Sequence, residues 1–204
     1  VNGVNDGPTA ADDSATTTEN GTVTVTALAN DSDPDGSDVL TITGITQPAS
    51  GAVTFTATDV TFDPGTAFDN LDAGESATVT FTYEISDGNG GTGTQAIAVA
   101  VRNVNEAPLI TSNGGGASAN VAIAENQTAV AVVTSTDIDG GAAQYAIAGG
   151  ADAARFTIDA AAGTLRFASA PDFEAPSDAD RDNVYELVVS VADGNGGSDQ
   201  QTIV

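Results

Sequence analysis

The sequence predicts an all-β fold built from two sandwich domains in tandem, and three features predict it. Apolar residues alternate with polar ones over several short stretches. Gly, Asp, Asn or Pro interrupts those stretches about every ten residues, and the turn motifs recur about 100 residues later. Alternation with a period of two makes a strand with one buried face. Short strands separated by regular turns make a sandwich, and roughly 100 residues is the size of one such domain.

The elements follow in chain order. Val23 and Val25 alternate with Thr22, Thr24 and Thr26. Ala77, Val79, Phe81, Tyr83 and Ile85 alternate with Thr78, Thr80, Thr82 and Glu84. Ile97, Val99 and Val101 alternate with alanines. Between the last two stretches, Asp87-Gly88-Asn89-Gly90-Gly91 forms a hairpin turn, because Asn and Gly accept the positive φ that tight turns require. In the second half Tyr185, Leu187, Val189 and Val191 alternate, with Val188 on the other face. Asn113 to Ala119 is Gly- and Ser-rich and reads as a loop within the second domain. Thr and Val are abundant, which favours strands locally.

The repeat sets the domain boundary. Ser86-Asp87-Gly88-Asn89-Gly90-Gly91 recurs as Ala192-Asp193-Gly194-Asn195-Gly196-Gly197. Asp33-Pro34-Asp35-Gly36 recurs as Asp137-Ile138-Asp139-Gly140, and Glu19-Asn20 as Glu125-Asn126. Val4-Asn5-Asp6-Gly7-Pro8 recurs as Val104-Asn105-Glu106-Ala107-Pro108. Domains of 1–104 and 105–204 are expected, divided near Pro108, which cannot continue a strand ladder. The chain starts and stops inside motif-like text and reads as a piece of something longer.

Composition narrows the function. The 204 residues carry 29 acidic side chains against four arginines, a formal charge of −25. Val, Ile, Leu and Phe make up about 21% of the chain, just above the roughly 20% below which a highly charged chain stays disordered. So acidic a chain excludes nucleic acid as a partner and disfavours anionic membrane surfaces. No apolar run has the length of a membrane helix. The chain lacks His and Cys, so a Ser-His-Asp triad, a cysteine nucleophile and His- or Cys-ligated metals are impossible. Carboxylate, carbonyl and Asn oxygens are plentiful, and these are the ligands of hard cations such as Ca²⁺.

The acids gather at turns: Asp31, Asp33, Asp35 and Asp38; Asp87; Asp137 and Asp139; Asp172 and Glu174; Asp178, Asp180 and Asp182; Asp193. Close like charges repel, and a cation or full solvation must offset them. Asp178, Asp180 and Asp182 read as a solvated loop. Asp31-Ser32-Asp33-Pro34-Asp35-Gly36 opens like an EF-hand, but Ile42 stands at the twelfth position and the flanks read as strands, so an EF-hand is excluded.

In the second half, Phe156-Thr157-Ile158-Asp159 with Gly163-Thr164-Leu165 resembles the F-x-I-D-x-x-x-G-x-L hairpin of cadherin repeats. Pro171-Asp172-Phe173-Glu174 resembles their D-x-E motif, Asp137-Ile138-Asp139 their D-x-D, Ala192-Asp193-Gly194 their late Asp and Val104 to Pro108 their linker. The first half is similar to the cadherin-like and Ig-like repeats of very large bacterial surface adhesins. Leu71-Asp72-Ala73-Gly74-Glu75-Ser76, Phe81-Thr82-Tyr83 and Ser86 to Gly91 carry that likeness.

The resemblance implies Greek-key sandwiches end to end, with Ca²⁺ clamped at each junction. It implies a middle site of Glu19, Asn103, Asn105, Glu106, Asp137, Asp139 and Asp193. An outer site would use Asn5, Asp6, Asp33, Asp35 and Asp87, and Glu125, Asp172 and Glu174 would form half of a third. Two positions depart from the family pattern. Asn103 and its counterpart Gly3 stand where Asp is usual, and the first domain has only Asp69 to offer for D-x-E.

The expected function is a non-enzymatic, calcium-stiffened extracellular segment, an extender or adhesive part of a bacterial secreted or surface protein. Its partners would be Ca²⁺, neighbouring repeats and a second copy or a polysaccharide. A calcium-dependent carbohydrate-binding module is the alternative, with Tyr145 or a calcium ion bridging sugar hydroxyls as its contact. A glycosidase built on paired carboxylates is disfavoured, because the acids lie at domain ends rather than in a cleft.

Overall fold

The computed structural model describes residues 4–204, so Gly3 lies outside the described residues. The chain divides into two compact units, Val1–Val104 and Asn105–Val204.

Unit 1 has the strands β1 (Asp13–Thr18), β2 (Val23–Val25), β3 (Thr41–Ile45), β4 (Ala52–Phe55), β5 (Val60–Asp63), β6 (Ser76–Ser86) and β7 (Thr92–Arg102). One sheet runs β1-β7-β6-β3 and the other β2-β5-β4. The β6–β7 hairpin is the longest pairing, and its register sets Ala77 opposite Val101, Val79 opposite Val99 and Phe81 opposite Ile97. All the residues that alternate in the sequence therefore share one face. β1 runs parallel to β7 over its full length, from Asp13 opposite Ile97 to Thr18 opposite Arg102.

The two sheets close over one core. Phe62 from the smaller sheet stacks on Phe81 from the larger, ring centroids 6.1 Å apart. Phe62, Ile85, Ile97, Val99 and Val101 are fully buried. Burial of one such side chain stabilises the fold by roughly 1.5–3 kcal/mol. Tyr83 is buried as well, and its hydroxyl lies 3.0 Å from the Ala11 carbonyl and 3.1 Å from each Asp31 carboxylate oxygen. Its burial and these neighbouring carboxylates push its phenol pKa up.

Unit 2 has the strands β8 (Leu109–Ile110), β9 (Ser118–Ala119), β10 (Ala129–Val132), β11 (Ser135–Thr136), β12 (Gln144–Gly149), β13 (Phe156–Ile158), β14 (Thr164–Phe167), β15 (Leu187–Ala192) and β16 (Ser198–Ile203). Its sheets run β12-β15-β16-β9, β10-β14-β13 and β11-β8. Phe156 and Phe167 pack 4.4 Å apart with Tyr185 edge-on to both. The β13–β14 turn needs glycine at Gly163, where φ is +64° and a Cβ would run into the Val133 carbonyl. Asp159 closes the same turn by accepting from the Ala161 and Ala162 N–H groups.

The alternation in unit 2 starts at Tyr185, and β15 starts at Leu187, opposite Ile203. Among the described residues no helix is long and apolar enough to cross a membrane.

Candidate metal centres

In unit 1 the turn after β6 is organised around Asp87, which is 4% exposed. One carboxylate oxygen accepts from the N–H groups of Asn89 (2.7 Å), Gly90 (3.0 Å) and Gly91 (3.0 Å). The other accepts from the Asn5 amide at 2.9 Å and from Gly91 N–H at 3.1 Å. The Asn5 hydrogen bond, assisted by those backbone donors, holds the Asp87 pKa below the ordinary 3.8. Asp6 N–H donates to Asp35 at 2.7 Å, and Asp35 N–H donates to Asp33 Oδ1 at 2.7 Å. Asp33 Oδ2 is buried and has no hydrogen-bond partner among the described residues. Asp33, Asp35 and Asp38 each bring an oxygen within 4.8 Å of the others.

Unit 2 repeats this construction. The Asn105 amide donates to Asp193 Oδ2 at 2.9 Å, and Asp193 Oδ1 accepts from Asn195 (2.6 Å), Gly196 (3.0 Å) and Gly197 (3.0 Å). The Asn105 bond likewise depresses the Asp193 pKa. Glu106 N–H donates to Asp139 Oδ2 at 2.6 Å, and Asp139 N–H to Asp137 Oδ1 at 3.2 Å. Asp139 is buried, and its Oδ1 has no hydrogen-bond partner among the described residues. Two stretches that share little beyond a few motif residues thus build the same scaffold of Asn, Asp and backbone N–H.

A second set in unit 1 centres on Glu19, just past β1 and fully buried. Its Oε1 accepts from Val104 N–H at 2.5 Å and from the Asn103 amide at 3.3 Å. Asn103 also donates to the Leu71 carbonyl at 2.9 Å. Glu19 Oε2 has no hydrogen-bond partner among the described residues. In unit 2, Glu125, Asp172 and Glu174 bring an oxygen each within 4.8 Å, all three exposed. Phe173 N–H holds Glu125 at 3.0 Å.

Not every expected residue joins a group. Asp69 sits in the turn before Leu71 and takes part in none of the groups of converging acids among the described residues. Asp38 was not among the expected ligands but converges with Asp33 and Asp35, and the Asn89 amide holds it at 2.9 Å. The signal was present in the run of aspartates from Asp31 to Asp38.

In the loop of Asp178, Asp180 and Asp182 the last two are exposed, as a solvated loop requires, and Asp178 departs from that reading. Asp178 is 4% exposed and accepts from Asp182 and Asn183 N–H at 2.8 and 3.3 Å. Tyr145 is 8% exposed, with its hydroxyl bonded to Ser135 at 2.9 Å. It presents no ring face for a sugar, because the core takes it.

The donor set fits a hard divalent cation: oxygens only, several of them buried, half of each key carboxylate fixed by backbone N–H.

Comparison with known proteins agrees with this architecture. The bacterial Ig domain family matches residues 5–100 and the cadherin domain family residues 119–204. No curated protein matches the chain in sequence. Among solved structures, Drosophila N-cadherin EC1-4 is similar at TM-score 0.59 and 21% identity, covering 95% of this chain and 49% of that one. Protocadherin gamma C5 EC1-3 is similar at TM-score 0.60 and 19% identity, covering 97% of this chain and 67% of that one. Mouse Cadherin-23 EC22-24 is similar at TM-score 0.56 and 20% identity, covering 98% and 66%. The chain spans about half the length of the N-cadherin fragment. At such identity the likeness speaks to fold. The chain is a tandem of cadherin-like and Ig-like β-sandwich repeats.

Proposed function

We propose that the chain is a calcium-binding extracellular segment of an adhesin, stiffened by Ca²⁺ where one repeat meets the next. The observation that carries this reading is a set of buried carboxylate oxygens left over from hydrogen bonding: Glu19 Oε2, Asp33 Oδ2 and Asp139 Oδ1. In each case a backbone N–H holds the opposite oxygen. Burying a charged oxygen with no partner costs several kcal/mol. A divalent cation offsets that cost and uses the oxygen as a ligand.

In this reading Glu19, Asn103, Asn105, Glu106, Asp137, Asp139 and Asp193 serve the connection between the two repeats. Asn5, Asp6, Asp33, Asp35 and Asp87, with Asp38 added, form the equivalent set of the first repeat. Glu125, Asp172 and Glu174 form a third set. The ions supply charge neutralisation and cross-linking. Extracellular calcium modules bind at roughly 10⁻⁴ to 10⁻³ M. At 1 mM calcium each site then contributes about 0.4–1.4 kcal/mol.

The test is thermal unfolding in EDTA, in millimolar Ca²⁺ and in millimolar Mg²⁺. Calcium raises the midpoint, magnesium raises it less, and Glu19→Gln removes part of the calcium effect. A midpoint that calcium leaves in place defeats the proposal. Small-angle scattering with and without calcium tests stiffening separately, and identical profiles count against it.

A further inference from the structure

A chain with 29 acids is expected to spread them over its exposed strand faces, yet the outer face of the larger sheet of unit 1 is nearly free of charge. β1, β7 and β6 lie side by side there. Ser14 pairs with Ala98 and Ala98 with Thr80, while Thr16 pairs with Ala100 and Ala100 with Thr78. Ser14, Thr16, Thr78 and Thr80 are exposed, and the two alanines between them are half-buried. The face is a shallow alanine stripe walled by hydroxyls and methyls.

Charge returns at the rim. Arg102 stands four residues after Ala98 on β7, and Glu84 four residues after Thr80 on β6. These strands are antiparallel. The two charges therefore lie at opposite ends of the face, each about 13 Å from the Ala98–Thr80 pair. Neither forms an ion pair with a described residue. Asp12 adds an acid at the Glu84 end, where its carboxylate accepts from Ala96 N–H at 3.3 Å. Glu75 lies near the Arg102 end, but its carboxylate turns back to accept from Asp72 N–H at 3.3 Å.

We propose that this face pairs with the same face of a second copy. A two-fold axis in the plane of the face, perpendicular to the strands and through the Ala98–Thr80 pair, lays each copy's Arg102 over the other's Glu84 and Asp12. The contact is isologous and closes at two copies. A two-fold axis along the strands would instead set Arg102 on Arg102 and Glu84 on Glu84. The neutral middle lets two chains of formal charge −25 meet where they repel least. A patch about 27 Å long and four strands wide buries on the order of 500 Å² per copy, less than the roughly 800 Å² of a stable complex, so the dimer is a weak one. No candidate metal ligand takes part, so the contact stands apart from calcium binding.

The test is sedimentation equilibrium of the whole chain in EDTA at about 0.15 M NaCl, where distant acids are screened and close pairs are not. Protein concentrations run up to about 1 mM, the weak end of specific affinities. A monomer–dimer equilibrium is expected. Arg102→Glu and Glu84→Arg each weaken it at least about tenfold, because like charges then face each other. An equimolar mixture of the two variants regains a heterodimer, since the mixed pair restores opposite charges at both ends. Thr80→Glu, on the axis, abolishes the dimer while the thermal midpoint of the first repeat holds. A monomer at every concentration, a dimer indifferent to the charge reversals, or variants that fail to complement each other overturns the proposal. So does a monomeric chain held on an insoluble polysaccharide until Thr80→Glu releases it, since a glycan would then be the occupant.

Discussion

Asp87 and Asp193 act as the hubs of their turns, each taking three successive backbone N–H groups and one Asn amide. Their depressed pKa values fix a sign for acid stability. A carboxyl held below the ordinary 3.8 in the fold stabilises it fully above that value and loses the contribution as pH falls through the folded value. Metal-free protein is therefore expected to lose stability towards pH 2, and the double variant Asp87→Asn with Asp193→Asn to lose less. Urea unfolding between pH 2 and 6 reads this directly, and parallel curves would refute it. Tyr83 is the second residue of note. Tyr83→Phe removes a buried hydroxyl from beside Asp31 and Ala11, and a loss of about 1–3 kcal/mol is expected in denaturant unfolding.

At the scale of the element, the two turns after β6 and β15 depend on small residues for reasons of space. A Cβ on Gly91 would meet Asp87 Oδ2 and the Gly7 backbone, and one on Gly197 would meet Asp193 Oδ2 and the Ala107 backbone. Gly91→Ala and Gly197→Ala are each expected to cost about 1–3 kcal/mol through forced displacement, and each weakens its Asn–Asp link. Thermal unfolding should show a drop of roughly 4–8 °C per kcal/mol in the repeat concerned. Gly36→Ala, with nothing within 4 Å of the added atom, serves as the control and should be near neutral. A deeper loss at Gly36 than at Gly91 would refute the crowding argument.

At the scale of the whole chain, the formal charge of −25 is the dominant fact. Self-repulsion of that size weakens a compact state and is screened as the Debye length shrinks from about 30 Å at 0.01 M salt to about 8 Å at 0.15 M. In EDTA the unfolding midpoint should climb with NaCl over that range. Calcium at matched ionic strength should add a further rise, because site binding neutralises two charges per ion where screening neutralises none. A midpoint indifferent to NaCl would mean that the acids are already well solvated, with burial confined to a few.

Alternation alone identified the β6–β7 hairpin and its buried face, since Val79, Phe81, Ile85, Ile97 and Val99 needed nothing but period two. The Asp-Gly-Asn-Gly-Gly motif folds locally, with Asp87 and Asp193 taking N–H groups two to four residues on, whereas the Asn5–Asp87 and Asn105–Asp193 links join residues 82 and 88 apart. Distance in sequence limited the rest. That Glu19 is buried with Oε1 held by Val104 and Oε2 left over depends on residues 85 apart meeting, and no local pattern encodes it. Tyr145 is lost as a platform because its pattern serves core and surface alike until packing chooses. The sequence by itself determined the β class, the turns and the oxygen-only chemistry, all of which follow from residue type and short spacing. Only the tertiary structure decided which carboxylate oxygens are orphaned, because that depends on what a long-range neighbour supplies or withholds.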